Sequence, residues 1–159
     1  MTDESLKQRA QEVYETLCQT MDHRGWKYQK DEAELVIHFG VRGDDLPMGM
    51  ILVVDAPRQL IRVMSPMPFN FDESKRADGA IAVCTASYRL AEGNFDYNLN
   101  TGRVVFRMTA SYRDSDIGEG LFRHLIDYSC TVVDAYNDKF QAINEGNLEI
   151  MQFVSAVLS

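Results

Sequence analysis

The sequence predicts an α+β fold, an antiparallel sheet with helices on one face, in the order α-β-β-β(-β)-α-β-β-α-α. Three observations carry this expectation. Apolar residues recur at spacings of three and four in several long segments, the signature of amphipathic helices. Between those segments apolar and polar residues alternate, as they do in half-buried strands. The connections between the alternating segments are short, which favours antiparallel neighbours over crossovers.

The first helix spans residues 3–22, where Leu6, Ala10, Val13, Leu17 and Met21 form the apolar stripe. Thr2 or Asp3 can cap it by accepting a first-turn N–H, and Gly25 supplies the stop. After Gly25 the period changes to two: Trp26 and Tyr28 alternate with Lys27 and Gln29, then Leu35, Ile37, Phe39 and Val41 with Glu34, Val36, His38 and Gly40. "RGDDLP" interrupts, "MGMILVVD" (48–55) restores the pattern, "APRQ" turns the chain and "LIRVM" (60–64) adds a strand. "SPMPFNFDESK" should end this meander, because Pro66 and Pro68 cannot donate to a ladder.

A second helix is expected from a cap at Asp72 or Ser74 to about residue 90, with Ala77, Ile81, Cys84 and Tyr88 on one face. Gly79 weakens it by up to about 1 kcal/mol unless a close contact requires the missing side chain. In "EGNFDYNLNTGRVVFR" (92–107), Phe95, Tyr97 and Leu99 point one way and Asp96, Asn98 and Asn100 the other. Across the turn, Val104, Phe106 and Met108 oppose Val105, Arg107 and Thr109. Gly102 takes the left-handed conformation that closes a bulged hairpin. A third helix runs from about 117 to 144, capped by Ser115 or Asp116. Its main stripe is Leu121, Leu125, Tyr128, Val132, Tyr136, Phe140 and Ile143, and Phe122, Ile126, Cys130 and Val133 form a second. A Gly146-Asn147 break precedes "LEIMQFVSAVLS", a short helix without a charged side chain in its last ten residues. A segment that apolar must dock on this chain or another. Residues 1–145 therefore form one domain and 146–159 an apolar C-terminal helix.

At 159 residues, with 45% hydrophobic and 25% charged residues, the chain fits one folded domain rather than a disordered segment. The net charge of -8 and the lack of a basic run in sequence argue against nucleic acid. The polar start and the absence of a long apolar run argue against a leader peptide or a membrane span, so a cytoplasmic protein is expected. Cys18, Cys84 and Cys130 are odd in number and lie in apolar helical patterns; they read as small buried hydrophobes.

The helix ending "ASYRLAEGNF", the hairpin "DYNLNTGRVVFR" and the long helix after a short acidic loop resemble the YbjN family of small bacterial proteins, described as candidate sensory transduction regulators. Tyr88, Gly93, Asn94, Phe95, Gly102, Arg103 and Phe106 carry the resemblance, which spans about the first 145 residues. Ser87 stands where family members often carry Asn. The resemblance implies the fold of type III secretion chaperones and a protein-binding role, commonly as a homodimer. It implies no catalytic residues.

No HExxH, paired CxxC, GxGxxG, Walker loop or GxSxG occurs, so no enzyme class gains support and no cofactor is expected. His23, His38 and His124 are scattered, and His23 suits the C-terminal end of the first helix rather than a metal. "DSDIGEG" lacks the glycine and glutamate positions of a calcium loop and reads as acidic capping. "RGD" at Arg42 to Asp44 reads as a turn, and Asp44 and Asp45 as solvated carboxylates. Met48, Met50, Met64 and Met67 suit a core or an adaptable binding surface.

The sharpest clue is "MILVV". Ile51 and Val53 are apolar alongside Met50, Leu52 and Val54, which implies cover on both faces of that strand. With Leu35, Ile37, Met50 and Leu52 facing the helices, Val36, His38, Ile51, Val53, Leu60, Arg62 and Met64 share the opposite face. That face is the expected partner-binding or dimer surface, covered by a second copy, the apolar tail or a protein client. The alternative is a small-molecule sensor or cryptic enzyme, with a cavity lined by Trp26, Tyr28, Tyr88 and Tyr136.

Overall fold

In a computed structural model describing residues 2–159, one antiparallel six-stranded sheet carries all the helices on a single face. The helices are α1 (Asp3–Arg24), α2 (Arg76–Tyr88), α3 (Glu119–Asn144) and α4 (Ile150–Leu158). The strands are β1 (Gln29–Asp31), β2 (Val36–Arg42), β3 (Pro47–Asp55), β4 (Leu60–Asn70), β5 (Asn94–Asn98) and β6 (Arg103–Ser111), in the order β1-β2-β3-β4-β6-β5.

The Thr2 hydroxyl caps α1 by accepting the Ser5 N–H at 3.3 Å. At the other end Gly25 is left-handed, with φ 68°, and the Gly25 and Trp26 N–H groups close a Schellman motif on the Asp22 and Met21 carbonyls. Ala10, Val13, Leu17 and Met21 are buried as the spacing predicts, with Tyr14 and Cys18 beside them.

The inner face of the sheet is the core. Ile37, Met50, Leu52, Ile61, Val63, Val104 and Phe106 are all buried against the helices. Leu35 departs from its expected place: it lies in the β1–β2 turn with φ 54°, and its carbonyl accepts the Val54 N–H.

The fourth strand does not stop at the prolines. It runs to Asn70 because the β3 ladder on one side ends at Ile51–Met64, so Pro66 and Pro68 lie where only β6 is a partner. The buried Ser65 hydroxyl donates to the Gly49 carbonyl at 2.8 Å, supplying a donor at the point where Pro66 has none.

The second helix differs most from expectation. It is preceded by a 3-10 turn (Glu73–Lys75), neither Asp72 nor Lys75 gives a side-chain cap, and the helix buries Gly79, Ala82, Val83, Thr85 and Ala86. The stripe of Ala77, Ile81, Cys84 and Tyr88 therefore faces solvent. This helix is apolar almost all round, so periodicity cannot choose its buried side. Close packing chooses it: a Cβ on Gly79 would sit 2.6 Å from the Tyr97 hydroxyl and 2.7 Å from the Phe71 ring.

In the β5–β6 hairpin the Asn98 side chain accepts the Asn100 and Thr101 N–H groups and ends β5 one residue early. Leu99 consequently lies exposed in the turn instead of facing the core. Gly102 is left-handed as expected, with its position packed on the Phe71 main chain. The third helix is capped at Gly118 without a side-chain bond, not by Ser115 or Asp116. Its buried arc lies between the two expected stripes: Phe122, Ile126 and Val133 are buried, whereas Leu121, Tyr128 and Tyr136 are partly exposed.

Helix α4 folds back on the helical side. Phe153 is buried, 6.1 Å from the Phe140 ring and 6.4 Å from that of Tyr136, and α4 packs against α2. The apolar tail thus lies on the helical layer and leaves the outer face of the sheet open.

Candidate functional site

Strand register assembles the outer face row by row, because residues of one parity share a face and partners sit side by side. One row reads Gln29, His38, Ile51, Met64, Arg107 and Asn94 from β1 to β5. The next reads Asp31, Val36, Val53, Arg62 and Thr109, and Asp55, Leu60 and Ser111 follow. All seven residues expected on this face, Val36, His38, Ile51, Val53, Leu60, Arg62 and Met64, lie in these three rows. None is buried: His38 is exposed and the other six are partly covered. Ile51, Val53, Met64 and Leu60 form its apolar centre. Met48, Met50 and Met67 are instead core residues.

On the other side of the central row the face is hollow. Gly40 pairs with Gly49, followed by Val105 on β6 and Asp96 on β5, and Pro66 lies between. A groove of about 550 Å3 opens there, lined in part by Tyr28, His38, Gly40, Gly49, Ile51 and Pro66. Arg42 on β2 and Arg103 on β6 lie outside it, and Arg42 shares a neighbouring hollow with Asp44 and Asp45.

The electrostatics of the face differ from those of the whole chain. Asp55 is almost fully buried and is held by Arg58 at 3.0 Å and Arg62 at 3.2 Å. Burial raises its carboxyl, but the Arg58 N–H and guanidinium together with the Arg62 charge lower it by more, so it titrates below the ordinary aspartate value. Asp96 is also lowered, chiefly by the two-pronged bond from Arg107 at 2.6 and 3.1 Å. Two of the acidic groups here are therefore occupied by arginines, whereas Arg42 and Arg103 make no ion pair among the described residues.

The four aromatics proposed to line an interior cavity do not meet in one. Trp26 packs edge-on against Phe39 beneath the Arg24 guanidinium, and the Tyr28 hydroxyl donates to Asp22 at 2.9 Å. Tyr136 lies among Phe95, Phe140 and Phe153, and Tyr88 is 79% exposed on the outer side of α2. Cys84 is likewise exposed, because it shares that outward stripe. His23 meets the Glu119 carboxylate at 2.6 Å and His124 meets Glu92 at 3.0 Å, on separate surfaces. No group of three or more His, Cys, Asp or Glu converges as metal ligands would among the described residues. No helix among them is long and apolar enough to cross a membrane.

A second apolar surface was not legible in sequence. Ile81 and Tyr88 on α2 and Met151 and Leu158 on α4 are exposed large hydrophobics on neighbouring helices. The spacing of Ala77, Ile81, Cys84 and Tyr88 places them on one face of the helix, but spacing alone does not say that this face points outward. The Gly40–Gly49 hollow was also missed, since only register places its residues together.

This arrangement defines a class: a two-layer α+β protein with an antiparallel sheet backed by helices and open on its other side. Solved structures share it. YbjN from E. coli, a candidate transcription regulator, superposes with a TM-score of 0.61 at 12% identity, covering 81% of this chain and 89% of that one. A chain of the ExsC–ExsE complex gives 0.57 at 12% identity, covering 80% and 92%. A chain of the HopA1–SchA chaperone–effector complex gives 0.55 at 9%, covering 77% and 91%. At these identities the likeness is one of fold. No family model matches the sequence, and no curated protein matches it.

The edge of the β5–β6 hairpin is held by a side chain from α2. The Ser87 hydroxyl accepts the Phe95 N–H at 3.0 Å, so a side chain from α2 occupies the outer edge of β5. Serine thus makes this edge contact at the position where the YbjN resemblance led one to expect asparagine.

Proposed function

We propose that this chain is a non-enzymatic protein-binding module, chaperone-like or regulatory, which holds a protein client on the outer face of its sheet and acts as a homodimer. The observation that carries the reading is the apolar centre formed by Ile51, Val53, Leu60 and Met64, which no helix among the described residues covers, since α4 docks on the helical layer. Burial of such a patch against a partner supplies the driving force for binding. The likeness in fold to chains from two protein complexes, one of a chaperone with its effector, supports a client.

The second copy belongs on the α2–α4 surface. Ile81 and Tyr88 are exposed on α2 and Met151 and Leu158 on α4, which packs against it, and Ala77, Ile81, Cys84 and Tyr88 follow the four-three-four spacing of a helix-pairing seam. A twofold pairing of this surface leaves both sheet faces free.

Photo-crosslinking in cells tests both parts. A benzophenone side chain at position 51 should give adducts with another protein, and one at position 88 should give adducts with a second copy of this chain. Self-adducts alone at position 51 would overturn the client reading, and their absence at position 88 would overturn the dimer surface.

A further inference from the structure

The two sides of α2 differ in what they meet. Gly79, Ala82, Val83 and Ala86 are buried on the inner side, whereas Ala77, Ile81, Cys84 and Tyr88 are exposed on the outer one. Beside that outer row Ala80, Thr85 and Ser87 are uncharged, and Asp78 is paired with Lys75 at 3.7 Å. Helix α4, which packs against α2, has no charged side chain in residues 150–159. Copies of a chain with net charge -8 repel one another over most of their surface, so a contact between two of them belongs where charge is sparse.

The outer row also carries a direction. Its small residue, Ala77, stands at one end and its largest, Tyr88, at the other, with Ile81 and Cys84 between. Parallel pairing of two such helices sets Ala77 against Ala77 and Tyr88 against Tyr88, leaving a void at one end and an overfilled contact at the other. Antiparallel pairing about a twofold axis sets Ala77 against the partner's Tyr88 and Ile81 against the partner's Cys84, so that small meets large along the whole seam.

Charge favours the same direction. Residues 72–78 carry Asp72, Glu73 and Asp78 against Lys75 and Arg76, a net -1, and the opposite end of the helix carries Arg89. Asp72, Glu73 and Arg89 make no ion pair among the described residues. Antiparallel pairing brings the acidic end of each copy beside the basic end of the other and sets the helix dipoles head to tail, whereas parallel pairing sets like beside like.

We infer that two copies of this chain meet through antiparallel α2 helices, with Tyr88 of each copy seated over Ala77 of the other. The inference rests on the proposed α2–α4 dimer surface and specifies its direction and register.

The test starts with light scattering on the full chain. A monomer at every concentration would overturn the dimer surface and the inference with it. In the dimer, Ala77→Tyr should weaken self-association about tenfold or more, because each Tyr88 loses its seat. Ala77→Tyr/Tyr88→Ala should restore the dimer by exchanging the large and small ends. Both positions are exposed in one copy, so the circular dichroism spectrum should stay unchanged. A dimer unmoved by Ala77→Tyr, or not restored in the double variant, would overturn the antiparallel seam and leave the dimer surface standing. A thiol probe reads the direction. In Ala77→Cys/Cys84→Ser the two thiols at position 77 lie about 16 Å apart along antiparallel helices, too far for a disulfide, so copper phenanthroline should give no linked dimer. Ready crosslinking there would show parallel helices and overturn the inference.

Discussion

The Tyr112 hydroxyl donates to the main-chain carbonyl of Asp55 across 3.1 Å in the buried interior. The Tyr112 N–H donates in turn to the Gln59 carbonyl at 3.0 Å, so one residue just past β6 clamps both ends of the β3–β4 turn. That clamp holds the rim of the outer face where Asp55, Arg58 and Arg62 meet.

Removing the hydroxyl leaves a buried carbonyl without its donor. Tyr112→Phe should lower stability by about 1–2 kcal/mol, read as an earlier denaturant midpoint at unchanged slope. An unchanged midpoint would show that this bond contributes nothing net.

The Asp55 cluster sets an acid limit. A carboxyl whose folded pKa lies below its unfolded value, about 3.9, stabilises the fold above that value and loses its contribution as pH falls through the folded pKa. Stability should therefore hold from neutral pH down to about pH 5 and fall below pH 4. Asp55→Asn should be less stable than wild type at neutral pH, with the difference shrinking as pH drops through that window. A constant difference across the titration would remove Asp55 as its source.

Two glycines should respond oppositely to alanine. At Gly102, φ is 71° and the new Cβ would press on the Phe71 carbonyl, so Gly102→Ala should cost at least about 1 kcal/mol. At Gly49 the added methyl meets open space and replaces a flexible residue in a strand, so stability should be unchanged or rise by up to about 1 kcal/mol. Thermal melts of the two variants side by side decide the point.

The thiols should separate by exposure. Cys84 is exposed, Cys18 is buried, and burial pushes the partly covered Cys130 thiol up to about 11. A thiol reagent at neutral pH should show one fast reaction, lost in Cys84→Ser. With a second copy on α2, that reaction should slow as protein concentration rises; a concentration-independent rate would place the dimer elsewhere.

Phe153 is the anchor of the C-terminal helix. Phe153→Ala removes the ring packed near Tyr136 and Phe140, and the amides of α4 should then exchange hydrogen faster while those of β3 and β4 keep their protection. Equal protection of α4 in both proteins would mean that Leu148, Ile150 and Val157 suffice to dock it.

The sequence by itself determined the fold class, the order of elements and the parity of the central strands. Alternation in "MILVV" and "LIRVM" assigned Ile51, Val53, Leu60, Arg62 and Met64 to one face, because a pleated strand offers each side chain only two directions. Three features were decided by tertiary structure alone. The stripe of Ala77, Ile81, Cys84 and Tyr88 turned outward because α2 is apolar almost all round, and the fit of Gly79 against Phe71 and Tyr97 chose its buried side. The strand through Pro66 and Pro68 continued because its ladder with β3 ends at Ile51–Met64, so their missing N–H groups interrupt no pairing on that side. The pairing of Gly40 with Gly49, and of Pro66 with Val105 beside them, depends on register across four strands. Local pattern sets which way a side chain points; only long-range pairing sets what stands next to it.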